Sequence, residues 1–184
     1  MMKTRSVVFF FALLFGMSFS FAQDGQYSID TAASNMSILG TSTMHDWESV
    51  VEDYAVTATL SSQQLKDISM VAVVRSIKSG KGSMDNNTYN ALKADEFPEI
   101  KFEATQLEIE GTSVKGTGEL TIKAVTKEVE VDLGYVKNAE GQFQVTGEIP
   151  VTMTEFGVIP PTAMLGAVKT GDDVTIKFDV LMKQ

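Results

Sequence analysis

The chain has 184 residues, a net charge of −9, one histidine and no cysteine. That excess of acid repels phosphate backbones and anionic surfaces, which argues against a nucleic-acid partner. One histidine and no cysteine leave little for a metal site, and without disulfides stability must come from packing and hydrogen bonding.

Residues 1–22 read as a signal peptide. Lys3 and Arg5 form a short basic region, Val7 to Phe15 is an apolar core short for a bilayer span, and Ser20-Phe21-Ala22 supplies a cleavage site. A membrane anchor is the alternative. No cysteine follows the cut, so a lipid-anchored product is not expected. Stable membrane insertion is not expected either. Removal takes the net charge from −9 to −11 and leaves one domain, residues 23–184, expected to be periplasmic or secreted.

Tyr27-Ser28-Ile29-Asp30 opens that domain. A first strand is predicted over Asn35–Ser42, with Met36 and Ile38 on one face. Polar, turn-forming residues around His45-Asp46 and the only Trp, Trp47, interrupt the alternation. Val50–Leu60 is the second strand, and Ile68–Ile77 the third. The third contains an apolar run, Met70 to Val74, that looks buried on both sides. Ser79 to Gly82 is a loop, after which Ser83 or Asp85 can cap a short helix through Ala94, stopped by Pro98. Met84, Tyr89 and Leu92 fall near one face of that helix, which could plug one end of a β structure.

The clearest pattern runs from Pro98 to Gly157. Ile100, Phe102 and Ala104 alternate with charged residues, as do Leu120 and Ile122, then Val129, Val131, Leu133 and Tyr135, then Phe143, Val145 and Ile149. A period of two places the apolar set on one face of a pleated strand and the charged set on the other. Turns fall at Gly111 and Asn138 to Gly141. An apolar loop from Phe156 to Gly166 precedes a last strand, Val174–Met182. These make eight strands and one short helix, so the sheet must fold onto itself as a sandwich or a closed barrel. Gly116, Gly118 and Gly147 share the inward parity, and either leave internal volume or permit sharp curvature.

The stretch Leu92 to Phe102 (LKADEFPEIKF), the hairpin Gly118 to Lys127 (GELTIKAVTK) and Glu155-Phe156-Gly157 are similar to motifs of the YceI-like family. The resemblance covers nearly all of residues 23–184. It implies an all-β fold, an eight-stranded antiparallel lipocalin-like barrel with one short helix, enclosing an apolar channel. It also implies an amphiphilic lipid partner, such as a polyisoprenoid or quinone, and allows a homodimer. The chain departs from the family pattern at Met153, where an arginine is usual, at Glu155 and Ala124, and at His45-Asp46-Trp47.

Ser42, His45 and Asp46 suggest a hydrolase only superficially, because neighbours in one loop rarely face one another as a triad must. A local turn bonded to backbone is the simpler reading. Gly80-Lys81-Gly82-Ser83 lacks phosphate-loop spacing, and no titratable pair falls on the inward face. Non-catalytic binding is therefore expected, with no cofactor. Candidate lining residues are Ile38, Tyr54, Phe102, Leu120, Ile122, Phe143, Val145, Ile176 and Phe178. Trp47, Phe156, Met164 and Leu165 are placed at the mouth. Ordinary core packing is the alternative for the first set, and packing outside the barrel for the second. An envelope interaction module with a self-filled barrel is the rival to lipid carriage.

Overall fold

The computed structural model describes residues 24–184. The expected signal peptide, residues 1–22, lies outside the described residues.

Alternation in the sequence becomes strand pairing. β1 (Gly25–Ile29) and β2 (Asn35–Ser42) are two halves of one bent strand. The bend is the 3-10 turn Thr31–Ala33, capped by Asp30, whose carboxylate accepts from Ala32 N at 3.2 Å. Both halves run antiparallel to β12 (Val168–Lys183), through Ser28↔Lys183 and Asn35↔Asp179. β3 (Trp47–Val51) and β4 (Tyr54–Ser61) repeat the arrangement, β3 pairing with β2 and β4 with β1. β5 (Gln64–Val73) pairs with β4 and the short β6 (Ile77–Lys78) with β3.

β7 (Glu99–Glu110) pairs antiparallel with β5, and β8 (Ser113–Ile122), β9 (Val125–Lys137) and β10 (Phe143–Thr152) follow, each antiparallel to the one before. Since β12 pairs with both β10 and β1, the path β1-β4-β5-β7-β8-β9-β10-β12 closes on itself. This is an eight-stranded antiparallel barrel, and closure rather than a sandwich disposes of the sheet edges. The first strand begins ten residues earlier than alternation indicated, because Gly25–Ile29 is too short to show a period by itself.

Two irregularities shape the wall. The β7–β8 register shifts between Glu103 and Glu108, so the buried positions of β7 pass from Ile100, Phe102 and Ala104 to Leu107. A bulge of this kind moves the inward set from even to odd numbers. β9 and β10 are hydrogen-bonded only over Gly134–Lys137 and Phe143–Thr146, then part. The Gln142 carbonyl accepts from Asn138 N at 2.9 Å, so alternate residues as far as Pro150 turn their backbone to that side. Pro150 lacks an N–H, and its place on an unpaired edge is the one a strand can tolerate.

α1 (Gly82–Leu92) is the one α-helix among the described residues. The predicted side-chain cap is absent: Lys81 stands at the N-cap. Asp85 instead turns back, accepting from Ser79 N at 2.8 Å and Ser79 Oγ at 2.6 Å, which ties the preceding loop to the first turn. Lys93 ends the helix in the left-handed conformation, and Ala94 N donates to the Tyr89 carbonyl at 2.9 Å. Tyr89 fixes the helix to the wall. Its hydroxyl accepts from Lys78 Nζ at 2.7 Å and donates toward the Arg75 carbonyl at 2.9 Å.

Candidate functional site

The inward faces of these strands enclose two cavities that share one wall residue, Ile176. The mouth cavity, of about 140 Å³, is walled by Ile38, Trp47, Ile100, Ile122 and Ile176, and covered by α1 and the loop before β12. The inner cavity, of about 100 Å³, is walled by Phe102, Leu120, Phe143, Val145, Ile176 and Phe178. No Asp, Glu, Lys, Arg, His or Tyr lines either one. For scale, a dry cavity of roughly 150 Å³ holds one benzene. Methionines supply adaptable walls, Met84 and Met153 at the mouth and Met36, Met70 and Met182 within. An unbranched thioether side chain can rotate aside for a longer guest.

Nine of the thirteen residues expected at the site therefore line the lumen, and four do not. Tyr54 is buried in the core, lines neither cavity, and leaves its hydroxyl without a hydrogen-bond partner. Burial, and secondarily the charge of Asp179, pushes that hydroxyl's pKa above its ordinary value. Phe156 is also buried, but against β9, in the short 3-10 turn Met153–Phe156 that follows β10. Lys127 Nζ lies 5.9 Å above its ring and bonds Glu155 Oε2 at 2.9 Å. Phe156 thus borders an outer groove of about 570 Å³ where β9 and β10 part, with Asp46, Glu128 and Asp173 on its rim.

Met164 and Leu165 are at the tip of a small hairpin between β11 (Thr162–Ala163) and β12. Both adopt positive φ, 51° and 55°, and both side chains are exposed to solvent. The loop does form the mouth, but through Val158, Pro161, Ala163 and Val168. A hairpin puts its paired residues against the body and its tip away from it, which hydropathy does not reveal. The helix contributes Ala91 as well as the expected Met84 and Leu92, whereas Tyr89 anchors the helix on another side. Met153, where the family resemblance implies an arginine, lines the mouth as an apolar wall.

Trp47 is held by two features. Its Nε1 donates to the Thr41 carbonyl at 2.9 Å, and its ring lies where a side chain on Gly40 would stand. Glycine at position 40 is therefore required for the indole to reach the mouth. The inward glycines act in the same way. Gly118 makes room for the Phe102 ring, and a Cβ on Gly147 would lie 2.5 Å from Leu133 Cδ2. Their missing side chains are replaced by neighbours rather than by empty space. Gly116 keeps the same inward parity, for a Cβ there would lie 2.7 Å from Leu107 Cδ2, although its own backbone is exposed.

His45 is exposed at the outer turn. Ser42 Oγ donates to the His45 carbonyl at 2.7 Å and accepts from Met44 N and His45 N, each at 3.2 Å. The serine is thus engaged with backbone, as expected of a turn, and does not face the imidazole ring.

A closed eight-stranded antiparallel barrel with an uncharged lumen and one helix at its mouth defines the lipocalin-like class. A model of the YceI-like domain matches residues 27–182, and the chain belongs to that family. Among solved structures it is similar to BcnA of Burkholderia cenocepacia, at 21% identity and a TM-score of 0.72, covering 85% of this chain and 99% of that one. It is also similar to a polyisoprenoid binding domain from Saccharophagus degradans (10% identity, TM-score 0.63, 85% and 97% covered). The Campylobacter jejuni YCEI protein matches at 20% identity and a TM-score of 0.58, over 73% of this chain and 83% of that one. At these identities the likeness is one of fold. No curated protein sequence matches the chain.

Proposed function

We propose that this protein is an exported, non-catalytic barrel that holds the hydrocarbon part of one amphiphilic lipid, of isoprenoid, quinone or fatty-acyl type, for sequestration or transport. The observation that carries this reading is the uncharged lumen, two cavities meeting at Ile176 with methionine-rich walls. Each buried CH₂ contributes roughly 0.8 kcal/mol, so a chain in such a lumen needs few polar contacts to bind. The similarity to a polyisoprenoid binding domain supports the same ligand class. Acid–base catalysis needs a titratable group in the cleft, and the residues that line this one supply none.

The test is organic extraction and mass spectrometry of protein purified without detergent. A stoichiometric long-chain lipid is expected. A barrel persistently empty, and refusing added lipid, would favour the envelope interaction module instead. Sequencing the N-terminus of the exported form tests the signal peptide, with Gln23 expected as the first residue.

A further inference from the structure

We propose that the mouth of the lumen selects an uncharged, hydrogen-bonding head group (an alcohol or carbonyl oxygen) over a carboxylate or phosphate, with Ser49 as the residue that contacts it. This rests on the lipid-binding reading above. Ser49 is only 3% exposed and lines the mouth cavity, and its hydroxyl, unbonded within the protein but not sealed off as the Tyr54 hydroxyl is, opens on that cavity. A hydroxyl on such a wall takes its partner from whatever fills the cavity, and natural interiors almost always give it one. Ser49 points its side chain to the same side of β3 as Trp47, so the partner's place is inside the cavity.

The surroundings narrow the partner's chemistry. Asn87 and Thr88 on α1, with Thr162 and Thr170 on the hairpin, border the same cavity, and none of their side chains is bonded within the protein. All are neutral donors or acceptors. Trp47 cannot add another donor, because its N–H is committed to Thr41 and only its ring faces the cavity. Met153 and Met84 complete the wall with thioethers. A carboxylate or phosphate drawn in here would lose its water and meet no counter-charge, which is the most unfavourable exchange available to it. A hydroxyl or carbonyl would lose water and regain a hydrogen bond from Ser49.

Four probes sharing one diterpenoid chain separate these cases: the alcohol, the carboxylic acid at neutral pH, the diphosphate and the plain hydrocarbon. Their affinities for the delipidated protein are measured by Trp47 fluorescence, for wild type, Ser49→Ala and Ser49→Thr. The alcohol should bind about 100-fold more tightly than either anion. Ser49→Ala should weaken the alcohol about tenfold and leave the hydrocarbon unchanged, and Ser49→Thr should restore the alcohol. If an anion binds as tightly as the alcohol, or Ser49→Ala leaves alcohol and hydrocarbon alike, the head-group assignment fails and lipid binding stands. If none of the four binds, the lipid-binding reading fails and takes this assignment with it.

Discussion

The ring of Phe102, on β7, occupies the space that a side chain on Gly118 of β8 would fill. The two strands pair antiparallel, and the backbone carbonyl of Glu103 lies 2.9 Å from the same point, so a methyl group there has nowhere to go. Packing of this kind sets the width of the inner cavity, because Phe102 is one of its walls.

Gly118→Ala should therefore destabilise the barrel by about 1–3 kcal/mol, the usual cost of overpacking a core. Pairing it with Phe102→Leu should recover part of the loss, since residues in contact do not act additively. Urea denaturation of the two single variants and the double variant measures the coupling. Simple additivity would show that the ring and the glycine do not constrain each other.

Tyr54→Phe should leave the fold intact and raise its stability by about 1 kcal/mol, because it removes a buried hydroxyl that has no partner. A fall in stability would mean that the hydroxyl is bonded in solution. Thermal melts of the two proteins decide the matter.

Ala91 and Leu165 separate the lumen from the loop tip. Ala91→Phe projects a ring from α1 into the mouth cavity and should lower lipid uptake at least tenfold by occupying the ligand's place. Leu165→Asp alters a fully exposed side chain that lines no cavity, and should leave both affinity and stability within about twofold. Fluorescent-lipid titration of both variants is the measurement. Loss of uptake in Leu165→Asp would bring the hairpin tip back into the site.

Asp85 should give the loop before α1 a pH-dependent hold. Hydrogen bonds from the Ser79 side chain and backbone, aided by the charge of Lys78, hold its carboxyl below the ordinary 3.8. A carboxylate lowered on folding stabilises the native state above its unfolded pKa, and that contribution disappears as pH falls below 3.8 through the folded value. Asp85→Asn should be less stable than wild type near neutrality, and the two should converge in acid. A constant gap across that range would show that the charge plays no part. Denaturant midpoints along a pH series provide the comparison.

Period-two alternation is a local property, and the chain carries it wherever strand residues alternate between core and water. The inward faces of β8, β9, β10 and β12 could be read from it directly, and six of the nine lumen residues came with them. Alternation is silent on a register shift, so the change of parity between Ala104 and Leu107 was hidden. Loops carry no period at all. Phe156, Met164 and Leu165 are as apolar as Val158 and Val168, and only the 3-10 turn against β9 and the hairpin at β11 decide which of them reach the mouth. Tyr54 shows the same limit inside a strand, since facing inward is not the same as bordering a space.

The sequence by itself determined an acidic, cysteine-free, all-β chain with one apolar sheet face and one short helix. The tertiary structure decided that β12 closes on both β1 and β10, that neighbouring side chains fill the space beside the inward glycines, and that the Ser49 hydroxyl faces a cavity. The division follows from range. Which face a residue takes depends on its neighbours in the chain, whereas whether space remains beside it depends on side chains brought there from far along the sequence.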